Sequence, residues 1–417
     1  MILNSFKDIN FVEEVNIDVN FIEKQKLKEK YENLDQELRK QNCNGQNGYI
    51  LWGTRNKKMK TPFGDITIKA SRFCFYDKKE NKFKTTTLLN KEIGLKNNQT
   101  IILSVKISIW KEMDSAKRQR DIRDMFPKLN ISNMSITNIN KEVNFYKLFQ
   151  EHLKTKTRKV NVQTPYLYAG VDDSFSNLTK YKKIEKNMFR VAYFHTGYDE
   201  IKSTKNKNVL RDKNIFIVMK SVKNKYYLIQ KYKKEFLHFL HQNYNIENCK
   251  LTLAGDGATW IQKFANEIGA IYILDEFHLM KELKTIFPYR RKKLTKNLTD
   301  NEKIRKEIKK FINYINKRKD GIKVYKENWY MGSCTESQIS HNVKWLKGYG
   351  AKLYSEKVFK NMIAMKMAKE NGINLIGFYL EKINKKLQKE HNYYFKNNDN
   401  YQFLINKNVS QQARVFI

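Results

Sequence analysis

An apolar run, Leu251-Thr252-Leu253-Ala254, breaks at Gly255-Asp256-Gly257 and gives way at once to a helical stripe of Trp260, Ile261, Phe264 and Ile268. A strand that stops on an acid and turns directly into a helix belongs to an α/β layer, where it sets a carboxylate at the carboxyl edge of a sheet. The sign recurs upstream, where apolar residues 166–171 end at Asp172-Asp173. Downstream, Glu336 opens a helix with Ile339, Val343 and Leu346 on one stripe. That spacing puts the acid on the core-facing side, where a carboxylate seldom sits without a partner.

Three acids remote in sequence that converge on one point are what a divalent cation requires. Hard oxygen ligands suit Mg²⁺ or Mn²⁺, and two such ions about 3.5–4 Å apart can stabilise the attacking and leaving oxygens of a phosphodiester together. Asp172, Asp256 and Glu336 are therefore the candidate catalytic and metal-binding residues. Asp173 is adjacent to the first and points the other way if the strand continues. Asp275 and His278 lie three apart at the start of the next helix and could orient ligands or contact phosphate. Each acid also has a plainer reading: Asp172 as a turn residue, Asp256 and Asp275 as helix N-caps, and Glu336 as a first-turn acid favoured by the helix dipole.

The chain has 417 residues with 81 Lys and Arg against 43 Asp and Glu, a net charge of +38. An AT-rich genome raises Lys, but it raises Glu as well, so the imbalance calls for a polyanionic partner, with nucleic acid first. Cys43, Cys74, Cys249 and Cys334 are scattered without a C-x-x-C pair, which removes zinc fingers and disulfide frameworks and fits a reducing cytoplasm. No run approaches the roughly 18 apolar residues of a membrane span, so a soluble, nucleoid-associated protein is expected. Walker, Rossmann, G-x-S-x-G and H-E-x-x-H patterns are all missing.

Periodicity divides the chain. Residues 1–47 form a helical arm with Phe21, Ile22, Leu27, Tyr31, Leu34 and Leu38 on one stripe. Residues 48–85 form a small β module turning at Thr61-Pro62-Phe63-Gly64. Residues 86–160 are a helical DNA-binding segment, in which 115–125 and 135–147 resemble a helix-turn-helix broken at Phe126-Pro127, with Asn138, Asn140 and Lys141 facing DNA. An α/β core follows over 161–284, with strands at 166–171, 189–195, 214–219, 251–254 and 270–274 and helices at 231–244, 259–268 and 276–286. A basic helical insertion at 285–330, including Arg290, Arg291, Lys292 and Lys293, would hold DNA phosphates. The core resumes over 331–375, and 376–417 is a tail.

The blocks Gly170-Val171-Asp172-Asp173, Phe194-His195-Thr196-Gly197, Gly255-Asp256-Gly257-Ala258-Thr259-Trp260-Ile261, Leu274-Asp275-Glu276-Phe277-His278 and Glu336-Ser337-Gln338-Ile339-Ser340-His341 resemble those of the ISLre-type insertion-sequence transposases of bacteria. These are a branch close to the mutator-like DDE enzymes. Thr61 to Asp65, Arg72 to Tyr76 and Leu88 to Glu92 extend the likeness toward the amino terminus, so that it spans residues 50–370.

The resemblance implies an RNase H-like mixed sheet with flanking helices, interrupted by a helical insertion between the second Asp and the Glu. It also implies two Mg²⁺ or Mn²⁺ ions, and cleavage and joining of double-stranded DNA at an element's terminal inverted repeats and its target. By position Asp172, Asp256 and Glu336 match the acidic triad, while Asp173, Asp275, His278 and His341 fall in supporting places. Such an enzyme would assemble as a homo-oligomer on DNA. The chain departs from the pattern at Ser337, Leu346 and Tyr354, where the family usually has Gly, Arg and Trp, which puts turnover in question. The alternatives are a non-catalytic DNA-binding protein, such as a decayed copy or a repressor, and a metal-dependent nuclease without strand transfer.

Overall fold

The computed structural model describes residues 9–396 except 43–48, 78–79, 94, 96–98, 116, 156–158, 205–207, 222–224, 287–300 and 349–352. It is mixed α/β and divides into two compact units: Met1–Asn144 with Leu178–Ile184 and Lys344–Ile363, and Phe145–Asn177 with Glu185–Val343 and Ala364–Ile417. The second unit thus takes in residues 145–160, which the periodicity groups with the helical segment. Among the described residues no helix is long and apolar enough to cross a membrane.

In the first unit, helix α1 (Ile9–Asn42) is followed by strands β1 (Tyr49–Thr61), β2 (Gly64–Asp77) and β3 (Lys82–Thr86), an antiparallel sheet in that order. The expected turn is present: the Thr61 hydroxyl donates to Gly64 O at 2.7 Å and accepts from Phe63 N at 3.2 Å. The strands run longer than their apolar residues suggest. Thr54, Asn56 and Lys58 are exposed while Met59 and Thr61 are buried, an alternation that Lys and Asn disguise. Asp35 of α1 is buried and accepts from Ser71 N at 3.0 Å and Ser71 Oγ at 2.7 Å, which fixes the arm on β2. Phe21 and Ile22, placed on the packing stripe by spacing, are instead more than half or half exposed.

Four helices complete that unit's described amino-terminal part: α2 (Leu88–Glu92), α3 (Leu103–Lys111), α4 (Gln119–Asp124) and α5 (Asn133–Glu142). They correct the helix-turn-helix expectation. The first expected helix is reduced to α4, and the second, 135–147, ends at Glu142 with Val143 extended. Asn140 is buried, and its carbonyl and that of Val143 each accept from Asn361 Nδ2 at 2.7 Å. It cannot present itself to a base from there. Asn138 is exposed and Lys141 half-buried. Trp110 Nε1 donates to Ile139 O at 3.0 Å, and Lys106 meets Glu142 at 2.9 Å, so α3 and α5 are tied as packing partners.

The second unit begins with α6 (Phe145–Thr155) and a two-residue parallel pair, β4 (Val160–Asn161) with β8 (Tyr244–Asn245). Its main sheet has five strands: β5 (Tyr166–Lys180), β6 (Lys183–His195), β7 (Asn214–Ser221), β9 (Lys250–Gly255) and β10 (Ile271–Leu274), in the order β10-β9-β5-β6-β7. All five were expected, but β5 and β6 continue as a long hairpin turned at Tyr181 and Lys182, both at positive φ. The residues beyond Val171 are polar and carry no strand signature. The connection from β9 to β10 is α8 (Thr259–Glu267), and α7 (Lys225–Asn243) lies between β7 and β8. Both β9 and β10 run parallel to their neighbours, and β7 runs antiparallel to β6. Leu167, Val171, Phe189, Val191, Ile215, Ile217, Leu253 and Leu274 are nearly or fully buried, as a sheet covered on both faces requires.

After β10 come α9 (Glu276–Ile286), α10 (Asn301–Asn316) and α11 (Lys319–Lys323), then α12 (Thr335–Ile339), a π-helical turn at 340–344, α13 (Trp345–Lys347), α14 (Glu356–Glu370) and α15 (Leu375–Lys396). The basic insertion is helical where described, and Arg290, Arg291, Lys292 and Lys293 lie outside the described residues.

His195, at the end of β6, is 5% exposed and stacks between Tyr168 and Tyr193 at 5.1 and 5.9 Å. Burial lowers its pKa to about 4, so the folded ring is neutral at pH 7. Its stabilising contribution is intact above the unfolded value of 6.5 and declines as pH falls toward 4, because only the unfolded chain takes up the proton. The loss reaches about 3 kcal/mol near pH 4. Urea unfolding at pH 7 and pH 5 is expected to show a smaller pH dependence for His195→Gln than for the unsubstituted chain.

Candidate metal centre

Strand register brings the first acids together. Val171 of β5 pairs with Gly255 of β9, and Gly255 pairs in turn with Leu274 of β10. Asp172, Asp256 and Asp275 are the next residues on these three adjacent parallel strands, each strand about 4.8 Å from its neighbour. The carboxyl edge of the sheet therefore carries three acids at one level. Asp172 is 6% exposed and Asp275 1% exposed.

Helix α9 starts directly after Asp275, and its first turn places His278 Nε2 3.5 Å from Asp172 Oδ2. That is an ion-pair separation, too long for a well-formed hydrogen bond. Glu336, in the first turn of α12, completes the group: one donor atom each from Asp172, His278 and Glu336 lies within 4.8 Å of the others. Asp256 is outside this cluster. Its Oδ1 accepts from Ala258 N at 2.9 Å, the local turn bond of its plainer reading, while its charge still acts on His278 and Asp173. His341 is exposed in the π-helical turn and takes no part in the cluster.

The electrostatics are those of an acid-rich pocket. The interaction with Asp172 raises the pKa of His278 against the opposing effect of burial. Burial pushes the Asp275 carboxyl up, and the charges of Asp172 and Glu336 add to it. Asp275 Oδ1 accepts from Phe277 N at 3.0 Å, but Asp275 Oδ2 and His278 Nε2 are buried without a hydrogen-bond partner. Orphaned acceptors beside two more carboxylates fit a cation. The carboxylates match Mg²⁺ and Mn²⁺, and an imidazole nitrogen in the set shifts the balance toward Mn²⁺.

Asp173 points away from the cluster, as strand alternation requires. It binds Arg190 of β6 through two 2.7 Å hydrogen bonds, Nε to Oδ1 and Nη2 to Oδ2. The Arg190 guanidinium lies 3.9 Å from the ring centre of Trp260 and 5.0 Å from that of Tyr232. Between Asp172 and Asp173, only Asp172 faces the cluster.

The glycines flanking Asp256 have a different purpose from the one their sequence suggests. A Cβ on Gly255 would meet Ile261 at 2.7 Å, and one on Gly257 would meet Arg318 Nε at 2.4 Å and Tyr314 Oη at 2.9 Å. They make room for protein side chains of α8 and the insertion, not for a substrate. Arg318 donates through Nε to Gly257 O at 2.8 Å and rests on the Tyr314 ring at 3.9 Å, which docks the end of α10 beside Asp256. Gly257 also sits at φ +84. Gly257→Ala is expected to cost about 1–3 kcal/mol in urea unfolding, from left-handed strain together with displacement of Arg318.

Tyrosines set the approach to Glu336. Tyr168 Oη donates to Trp329 O at 2.8 Å, Tyr198 Oη to Met331 O at 2.7 Å and Tyr325 Oη to Leu274 O at 2.5 Å. Tyr193 Oη lies 3.1 Å from Thr335 Oγ1 and accepts from Cys334 N at 3.3 Å. Its ring occupies the space over Gly170, where a Cβ would come within 2.4 Å. Sequence reasoning missed Arg190, Tyr193 and Arg318. Only Arg190 carried a signal, as a lone charge inside the apolar run Phe189-Arg190-Val191-Ala192-Tyr193-Phe194.

The fold and site are those of an α/β protein with a carboxylate–histidine cluster at the carboxyl edge of its sheet. The chain belongs to an uncharacterised protein family, UPF0236, whose model matches residues 3–382. Relatives include UPF0236 proteins of Caldanaerobacter subterraneus subsp. tengcongensis. One is 24% identical over 346 residues, covering 76% of this chain and 68% of its own length. A second is 24% identical with 65% of its length covered, so the chain spans about two thirds of these relatives. A third, 23% identical, has a name that joins eleven locus tags.

Proposed function

We propose that the protein is a DDE-type DNA transposase of an insertion sequence, with Asp172, Asp256 and Glu336 as its acidic triad. The observation that carries this reading is the convergence of Asp172, His278 and Glu336 within 4.8 Å at the carboxyl edge of the sheet. Asp256 stands one strand over in the same register. Strand order supports an RNase H-like core: an antiparallel β7-β6-β5 half continued by parallel β9 and β10. The family relationship is in keeping with a mobile element, since a relative bearing eleven locus tags of one genome is what a self-copying sequence leaves behind.

Divalent cations held by these residues would supply Lewis acidity for in-line attack by water, and then by a 3′-hydroxyl, on phosphodiesters. The chain's own contributions follow from its geometry. Asp172 and Glu336 offer carboxylate oxygens, His278 a neighbouring nitrogen held by Asp172, and Asp256 a further negative charge. The outward residues Arg305, Lys306 and Lys309 of α10 offer phosphate contacts on a helix docked beside Asp256 through Arg318. The partner is double-stranded DNA, bound by a homo-oligomer at element ends in the bacterial nucleoid.

The test is cleavage of a duplex carrying the ends of the element that encodes the chain, in Mg²⁺ or Mn²⁺. Nicks at the element boundary followed by joining to a second duplex are expected. Binding without nicking would favour a non-catalytic DNA-binding protein, and nicking without joining a nuclease.

A further inference from the structure

We propose that Arg190 is a positioning residue that fixes both strand-end acids, Asp172 and Asp256, relative to one another. The inference rests on the metal-centre reading above and adds to it a residue which touches neither cation nor DNA. On one side the guanidinium grips Asp173 by two 2.7 Å hydrogen bonds, and Asp173 N in turn donates to Asp172 Oδ1 at 2.6 Å. A peptide group held at its own side chain cannot rotate without breaking that pair, so the Asp172 carboxylate inherits the orientation of the clamp.

On the other side the same guanidinium lies flat on Trp260, 3.9 Å from the ring centre. Trp260 is in the first turn of α8, four residues after Asp256, and that turn is closed by the Asp256 Oδ1 bond to Ala258 N. Tyr232 of α7 packs against the guanidinium at 5.0 Å, and the Arg190 side chain is 5% exposed. A buried cation shared between the residue after Asp172 and the helix after Asp256 ties the ends of β5 and β9 together. Outer groups of this kind orient the ligands of a metal site, and their loss typically lowers metal affinity about 10–100-fold. The negative charge of Asp256 also reaches Arg190, so the cation offsets some of the repulsion among the clustered acids.

Arg190→Lys keeps the charge but neither the bidentate fork nor the flat stack. Asp173→Asn keeps the shape and removes the charge that Arg190 holds. Mn²⁺ binding is followed by electron paramagnetic resonance on protein shown by circular dichroism to be folded, alongside kcat and KM for end cleavage. Both variants are expected to bind Mn²⁺ about tenfold more weakly, with kcat reduced and KM for DNA unchanged. If Arg190→Lys does not fold, Asp173→Asn carries the measurement. Unaltered Mn²⁺ affinity in both, with affinity lost in Asp172→Asn, would reduce Arg190 to a stabilising residue and leave the metal centre standing. Absence of Mn²⁺ binding in the unsubstituted chain would remove the metal centre and this role together.

Discussion

Asp172→Asn is expected to slow metal-dependent cleavage of element-end DNA by roughly a thousandfold, about 4 kcal/mol of barrier, while leaving DNA binding intact. Asp172 is the residue on which the pocket turns: it belongs to the ligand cluster, it pairs with His278, and its charge raises the pKa of Asp275. Asparagine retains the oxygen that accepts from Asp173 N but lowers the charge offered to a cation by one. Stability is not expected to fall, because one member of a crowded set of like charges is removed. Glu336→Gln is expected to behave likewise. His341→Ala, a change at an exposed residue outside the cluster, is expected to leave the rate within a few-fold. Single-turnover nicking with binding measured separately resolves these outcomes, and a fully active Asp172→Asn would sink the assignment.

Arg190→Ala is expected to produce the largest loss of stability, about 3–5 kcal/mol, because it strands a largely buried carboxylate. Asp173 is 22% exposed, and burial already pushes its pKa upward despite the opposing pull of Arg190. The Trp260 and Tyr232 faces would lose the cation that fills the space between them. The paired replacement Arg190→Met with Asp173→Leu removes both charges and keeps volume, so it is expected to cost much less than the single change. Urea unfolding of the three proteins tests this. Equal losses in the single and paired variants would mean that the stranded charge is not what destabilises Arg190→Ala.

How far the sequence reveals this arrangement depends on which residues carry a pattern. All five sheet strands were legible, because buried strands are written in Leu, Ile, Val, Phe and Tyr and end at glycine or acid. The acids at their ends were legible for the same reason, as was the buried stripe of Ile339, Val343 and Leu346 below Glu336. What lay hidden depends on pairing. The β5–β6 hairpin extends through polar residues that no apolar alternation marks, and β1 conceals its period behind Lys and Asn. Asn140 reads as a surface residue until its carbonyl is seen to accept from Asn361, a partner 221 positions away. His278 was expected to support the site from behind. Register and the first turn of α9 bring its ring nitrogen to Asp172, while Asp256, the first suspect from sequence, stands just outside the cluster. The glycines around Asp256 were noticed for the right property and the wrong neighbour, since Arg318 arrives from an insertion some sixty residues on.

The central claim is that Asp172, His278 and Glu336 form a divalent-cation site at the carboxyl edge of the sheet. A crystal of the protein grown or soaked with Mn²⁺ and measured for anomalous scattering addresses it most directly. The account predicts a peak ligated by Asp172 and Glu336, with His278 within reach, which is lost in Asp172→Asn. Manganese bound elsewhere, or an empty pocket under saturating Mn²⁺, would contradict it.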